Sequence, residues 1–285
     1  MANKPQPPGN AELNKLFQKK DNIFGIEKVL SSNNNSRIFQ IKPSPALPAS
    51  RISFVDATLD KDGNLRRSLL SFVRDNELKF SLTIRLAEKY LNQQGISLTN
   101  ASEDPETMQF GEVKLTQVHS NTGGYKNIDA GGNQILLNFH RGKQPFRIVS
   151  LADIEAGRVN PEWIHDHIVL IGITALSVRD DVNVAGVKSD NPGLIYGVEV
   201  QAHAISQIIS AVLDDCPLLT AWDNAWEYLW ILAWGFLGIA LARILSQSPW
   251  KLLLAITGAS LLVVAIYYLL ILEFALWLPV VPLDC

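Results

Sequence analysis

The chain is 285 residues long, with 28 acidic against 25 basic side chains and a formal net charge of −3. Its basic pairs, Lys19-Lys20 and Arg66-Arg67, are isolated, which excludes the concentrated cationic surface on which nucleic-acid affinity depends. The two cysteines, Cys216 and Cys285, stand outside any Cys-x-x-Cys or Cys/His spacing, so neither a disulfide framework nor a zinc site is supported.

Residues 1–10 are rich in Pro, Asn and Gly and read as a disordered start, and residues 13–29 hold a short helix. The Ser/Asn run at 31–36 and the three-proline stretch at 42–50 are connectors. Ordered structure is expected from Arg51. Residues 52–58 are strand-like, Leu59 to Asn64 carry Asp-Gly turn chemistry, and residues 65–73 return as a second strand, which predicts a hairpin. Between 81 and 91, the apolar residues Leu82, Ile84, Leu86, Ala87, Tyr90 and Leu91 suit a helix with one buried face, ended by Gly95. Strands are expected at 111–118 and 134–139, with turns at Gly123-Gly124 and Gly131-Gly132 and a short helix at 151–155. Ile168, Val169, Leu170 and Ile171 are four consecutive branched apolar residues, the pattern of a central strand buried on both faces. Val198, Ala202, Ile205, Ile208, Ile209 and Val212 recur at helical spacing over 198–213, predicting a helix packed on that sheet.

After Thr220 charge almost disappears, and most of the chain's apolar excess lies there. A helix rising 1.5 Å per residue needs about 20 apolar residues to cross about 30 Å of hydrocarbon. Residues 252–272 contain no ionisable side chain, and residues 222–245 keep Glu227 and Arg243 near their ends. Trp222, Trp226, Tyr228 and Trp230 at one end, with Trp250 beside the other, fit an interfacial aromatic belt. The loop at 246–250 contains Pro249 and is short enough to force an antiparallel hairpin. Arg243 and Lys251 bracket it, whereas Asp214, Asp215, Asp223, Glu227 and Glu273 stand at the opposite ends. The Lys/Arg bias therefore places the loop in the cytoplasm and the N-terminal region outside. Residues 274–283 form half a span carrying Pro279 and Pro282, the pattern of a third helix truncated near its start. Residues 1–20 contain no apolar core suited to export, which sets the topology against the N-terminus. The expectation is a fragment of a longer protein with material missing at both ends; the competing account is a cytoplasmic N-terminal domain.

Candidate chemistry is sparse. Asp56, Asp60, Asp62 and Gly63 invite a calcium reading, but aligning Gly63 with the invariant glycine of a calcium loop puts Thr58 and Leu69 at ligand positions. The run Gly172-Ile173-Thr174-Ala175 resembles a phosphate-binding turn but lacks both the GxGxxG and the GK[ST] pattern, and Asp180 and Asp181 lie on the loop beyond it. His165 and His167 lack further ligands at useful spacing. His203, flanked by alanines inside the last amphipathic helix, reads as a hydrogen-bonded core histidine. No nucleophile with a base can be assembled, no metal site is expected, and no cofactor is implied.

The ordered succession of pieces nevertheless resembles a family: the CHASE domain of the second type, a sensory extracellular domain associated with cyclases and histidine kinases in bacterial receptors. The pieces are Phe54-Val55-Asp56 with Asp60-Lys61-Asp62-Gly63-Asn64-Leu65-Arg66-Arg67; Ser81-Leu82; Leu137-Asn138-Phe139; Phe146 with Ser150-Leu151; Ile168 to Ala175 with Asp180; and Gly197-Val198-Glu199-Val200-Gln201-Ala202-His203-Ala204. Two spans and then Trp277-Leu278-Pro279-Val280-Val281-Pro282 follow in the family's order. The resemblance implies a receptor with an N-terminal anchor, an extracytoplasmic sensor and closing helices leading to a nucleotide cyclase, a protein kinase or a cyclic-dinucleotide enzyme. Against that pattern the expectation is a chain that departs at both ends, without the anchor, the opening strands of the domain or the output module.

The resulting expectation is an α/β sensory domain at 51–218, with a central sheet and flanking helices, preceded by a tail and domain remnant at 1–50. A membrane region at 219–285 follows, comprising a transmembrane helical hairpin and a truncated third apolar segment. The chain would be a multi-pass protein of the inner membrane and not an enzyme. Its partners would be the lipid bilayer, an unknown small-molecule or protein signal, and a separate output protein or a second copy of itself. A ligand site is expected beside Gly172 and Thr174, with Asp180, Asp60 and Arg66 as polar walls. The rivals are an enzyme with its active site in the N-terminal domain, a structural membrane adaptor, and a non-functional gene fragment.

Overall fold

The computed structural model describes residues 8–29, 43–140, 145–175, 180–184 and 194–278. The chain divides into two compact units, one formed by Met1–Leu115 with Gly131–Cys216 and the other by Thr116–Ala130 with Pro217–Cys285.

In the first unit, helix α1 (Asn10–Lys19) precedes strand β1 (Gly25–Glu27), which pairs in parallel with β2 (Ile52–Phe54). Strand β3 (Arg67–Arg74) then runs into β4 (Glu77–Phe80) as an antiparallel hairpin. The two turn residues, Asp75 and Asn76, have φ of 51° and 62°, the left-handed geometry of a two-residue hairpin turn that short polar side chains tolerate. Helix α2 (Leu82–Gln93) starts where the Ser81 hydroxyl accepts the Ile84 N–H at 3.3 Å. It buries Leu82, Ile84, Ala87 and Leu91 along one stripe. A second antiparallel sheet follows, of β5 (Leu98–Asn100), β6 (Met108–Phe110) and β7 (Val113–Lys114).

Strand β8 (Asn133–Leu136) returns to β3, giving the order β4-β3-β8. Helix α3 (Leu151–Glu155) is closed by a capping box between Ser150 and Asp153. Strands β9 (Asp181–Asn183) and β10 (Leu194–Tyr196) pair antiparallel, and β10 runs without a break into helix α4 (Gly197–Leu213). Helix α4 packs on α2, with the Thr83 hydroxyl 2.9 Å from the Gln201 side-chain oxygen. Val200 and Ala204 of α4 join Leu65, Leu137, Val184 and Ile195 in one core cluster. Gln207 fastens α4 to the exit of β8, accepting the Asn138 N–H at 2.8 Å and donating to the Leu136 carbonyl at 3.2 Å.

In the second unit, helix α5 (Asn224–Ile244) and helix α6 (Pro249–Phe274) pack as a hairpin. At 1.5 Å per residue they measure about 31 and 39 Å, enough for a hydrocarbon core of about 30 Å. Their apolar side chains point outward, Phe236, Ile239, Leu261 and Val264 among them. That would be costly in water and is favourable in lipid. Helix α6 ends at Ala275 in a left-handed conformation. The chain then forms β12 (Leu276–Trp277), which pairs in parallel with β11 (Thr220–Ala221).

Several sequence expectations change here. The turn at Asp60 to Asn64 forms, with the Asp60 N–H bonded to the Asn64 carbonyl at 2.9 Å, but it does not join paired strands. β2 takes β1 as its neighbour, and β3 takes β4 and β8. The expected central strand Ile168-Val169-Leu170-Ile171 has no strand pairing among the described residues, and Ile171 is 90% exposed. Ile168 and Leu170 are half-buried while Val169 and Ile171 are exposed, so the described residues cover one side of the run and not both, as a central strand requires. The strand expected over 111–118 is reduced to β7. The described part of the apolar run at 274–283 is the end of α6 followed by β12; residues 279–283 lie outside the described residues, as does the Ser/Asn run at 31–36.

Candidate functional site

The expected polar walls are built by the turn before β3. Asp60 is buried, and its carboxylate receives the Arg67 guanidinium through Nε at 3.0 Å and Nη2 at 2.8 Å, and Arg66 Nη1 at 2.8 Å. Arg67, itself 2% exposed, donates its remaining edge to the Gln134 side-chain oxygen on β8 at 2.7 Å. Arg66 also grips Asp62 at 2.6 and 3.0 Å, which holds the Asp62 carboxyl well below the usual carboxylate range. Each charge in this network is bonded to another. Its evident role is to fix the turn and the start of β3, because removing one member strands a buried charge.

Gly172 and Asp180 converge on the first turn of α4. A Cβ on Gly172 would lie 2.5 Å from Val198 Cβ, so only glycine allows this approach. The Asp180 carbonyl accepts the Gly197 N–H at 2.7 Å. Its carboxylate lies so close to Gly197 that a Cβ there would sit 2.8 Å from Oδ2. That places a negative charge at the positive end of the helix dipole. Thr174 is exposed, two residues beyond Gly172.

Strand β9 joins the two groups, since the Leu65 N–H donates to the Asn183 carbonyl at 2.8 Å and Asn64 bridges to Asn183. Four of the five expected site residues, Asp60, Arg66, Gly172 and Asp180, therefore lie on or next to backbone that meets β9 or the start of α4. Two clefts of this unit, of about 340 and 420 Å³, lie on the side of α2 and β4, with Arg85 lining both, and none of the five residues lines either. Arg85 is engaged by Glu88 at 2.9 Å and stacks over Phe80 at 4.2 Å.

One cluster is fuller than the sequence suggested. His203 of α4 is 2% exposed, and its Nδ1 accepts the His140 N–H at 3.1 Å. The His140 ring stacks on it at 5.7 Å, while Phe139 and Phe146 meet it edge-on at 5.1 and 4.8 Å. His140 Nε2 lies 2.9 Å from the Ser206 hydroxyl. Burial, followed by repulsion from His140, pushes the His203 imidazole down to about 4. The ring is therefore neutral at physiological pH and serves as an acceptor that holds residues 139–140 on α4. The sequence marked His203 as interior but gave no sign of His140, whose approach depends on where β8 ends against α4.

These elements define a class: an α/β domain whose last helix leads within about ten residues to a hairpin of two helices long and apolar enough to cross a bilayer. The family model described as the CHASE2 domain matches residues 2–240, most of the chain, and the chain belongs to that family. CHASE2 is a sensory extracellular domain of signalling receptors and is not catalytic. Neither a curated protein nor a solved structure matches the chain.

Proposed function

We propose that this chain is the signal-receiving, membrane-anchored part of a receptor, with its α/β unit outside the cytoplasmic membrane and helices α5 and α6 crossing it. The observation that carries this reading is the CHASE2 match from residue 2 to residue 240. It runs through the α/β unit and into α5, which supports reading the sensor and the first span as one unit. The turn between α5 and α6 faces the cytoplasm, because Arg243 and Lys251 flank it while Asp223, Glu227 and Glu273 stand at the far ends.

The signal, a small molecule or a protein, acts at the start of α4, where Gly172 and Asp180 border the first turn, the exposed Thr174 lies two residues beyond Gly172, and the Asp60–Arg66 network braces the neighbouring strand. A ligand there biases the device only through its unequal affinity for two arrangements of the helix. Helix α4 is a rigid rod of 17 residues, about 25 Å long. A shift at its first turn therefore reaches its last turn, from which the chain runs directly to α5.

Sidedness provides the test. Reporter fusions at Gln247 and immediately before Asp223, made in the natural gene, should show cytoplasmic activity for the first and an extracytoplasmic signal for the second. The reverse pattern overturns the orientation, and two cytoplasmic signals overturn the receptor reading.

A further inference from the structure

Between β7 and β8 the chain leaves the first unit at Leu115 and re-enters it at Gly131, and the residues between fold with the helical hairpin. The loop at 116–130 is internally organised. The Tyr125 N–H donates to the Thr122 carbonyl at 3.1 Å and the Ile128 N–H to the Ser120 carbonyl at 3.1 Å. The His119 N–H reaches the Thr122 hydroxyl at 2.7 Å, and the Asn127 N–H reaches the Asn121 side chain at 3.0 Å.

This loop grips two points of its unit. Gly123 has φ of 60°, and a Cβ on it would lie 2.6 Å from the Trp277 ring, so the indole of β12 rests directly on glycine backbone. The buried Tyr125 ring meets the same indole edge-on at 5.2 Å. On the other side, the Gly123 N–H donates to the Glu227 carboxylate in the first turn of α5. Glu227 is 5% exposed, and its Oε1 has no hydrogen-bond partner among the described residues. Trp277 follows α6 directly, and β12 is paired to β11 just before α5. The loop therefore holds the start of α5 and the end of α6 together.

Its two ends are anchored in different sheets of the α/β unit. Leu115 follows β7, where its N–H bonds the Met108 carbonyl of β6 at 2.8 Å, and Gly131 precedes β8 of the β4-β3-β8 sheet. The two sheets are tied by Asn133, whose side chain donates to the Glu106 carbonyl at 3.0 Å.

We propose that residues 116–130 are a clasp that converts relative movement of the two sheets into a change in spacing between the outer ends of α5 and α6. This supplies a route for the signal in addition to α4, and it rests on the reading of the chain as a membrane-anchored sensor. A load on either end of the loop is delivered to Gly123, where the contacts to Glu227 and Trp277 meet.

The test uses the full chain in lipid nanodiscs with Cys216 and Cys285 replaced by serine. Spin labels at Trp226→Cys and Phe274→Cys, both exposed positions, report the distance between the outer ends, and hydrogen exchange reports the loop. Trp277→Ala should broaden that distance distribution and speed exchange at residues 120–128 by about ten-fold, as expected for losing a buried aromatic pair. Trp277→Phe should restore most of both, and exchange in α2 should stay unchanged in each variant.

Asn133→Ala, which frees one sheet from the other, should broaden the outer distance when Trp277 is present and add nothing in the Trp277→Ala background. The proposal is overturned if Trp277→Ala leaves the loop and the distance unaltered, or if Asn133→Ala acts equally in both backgrounds. Failure of the membrane reading has a separate signature: labels at Phe236→Cys and Leu261→Cys would be reached by water-soluble relaxation agents instead of by oxygen dissolved in lipid.

Discussion

Acidification should loosen the sensory unit through a single imidazole. His203 is buried against His140, Phe139 and Phe146, and its pKa falls from 6.5 to about 4 in the folded chain. The unfolded chain therefore binds a proton at this position more readily than the folded one. The stability the neutral ring contributes is complete above 6.5 and is lost as the pH falls from there toward about 4. Between about pH 7.5 and about pH 5 the linkage amounts to at most about 2 kcal/mol, a large part of a typical domain's stability. The assay is urea unfolding of the reconstituted chain at a series of pH values, for the native sequence and for His203→Gln. The variant keeps a side chain able to accept the His140 N–H but cannot titrate. The difference in unfolding free energy between the two proteins should shrink by up to that amount across the interval, which cancels the contributions of other ionisable groups. A difference that stays constant with pH would show that the folded histidine titrates as it does in water and would refute the argument.

Two further outcomes follow from the same unit. Arg67→Met removes the guanidinium that faces Asp60 at 2.8 Å inside the protein. It should destabilise by about 3 kcal/mol, while the double change with Asp60→Asn should cost less; unfolding midpoints check both, and equal losses would contradict the pairing. Ser81→Ala deletes the side-chain cap of α2 and should cost about 1 kcal/mol, seen as a matching drop in midpoint with no change in the denaturant slope.

The candidate site was only partly legible from residues. Gly172, expected to end a strand that does not form, and the acid beyond it, Asp180, were marked from local pattern, and both lie beside the first turn of α4. Asp60 and Arg66 were also marked by their charge, but one sequence cannot reveal that a charge is already neutralised. Their engagement with each other and with Arg67 and Gln134 spans 67 residues of chain in the case of Arg67 and Gln134. His140 was missed for the same reason, since its partner lies 63 residues away on α4.

What the residues determined by themselves were the helices. α2, α3, the stripe of α4, and the two long apolar helices appear at or near the expected positions. A helix closes its hydrogen bonds within four residues, so its signal is local. Strand partners were decided by tertiary structure: β2 beside β1, β3 turned by Asp75 and Asn76 into β4, and Ile168 to Ile171 left without a paired strand among the described residues. The allegiance of residues 116–130 to the helical hairpin was decided the same way. A strand or loop satisfies its backbone and buries its side chains against groups far away in sequence, and which distant group arrives is a property of the folded chain.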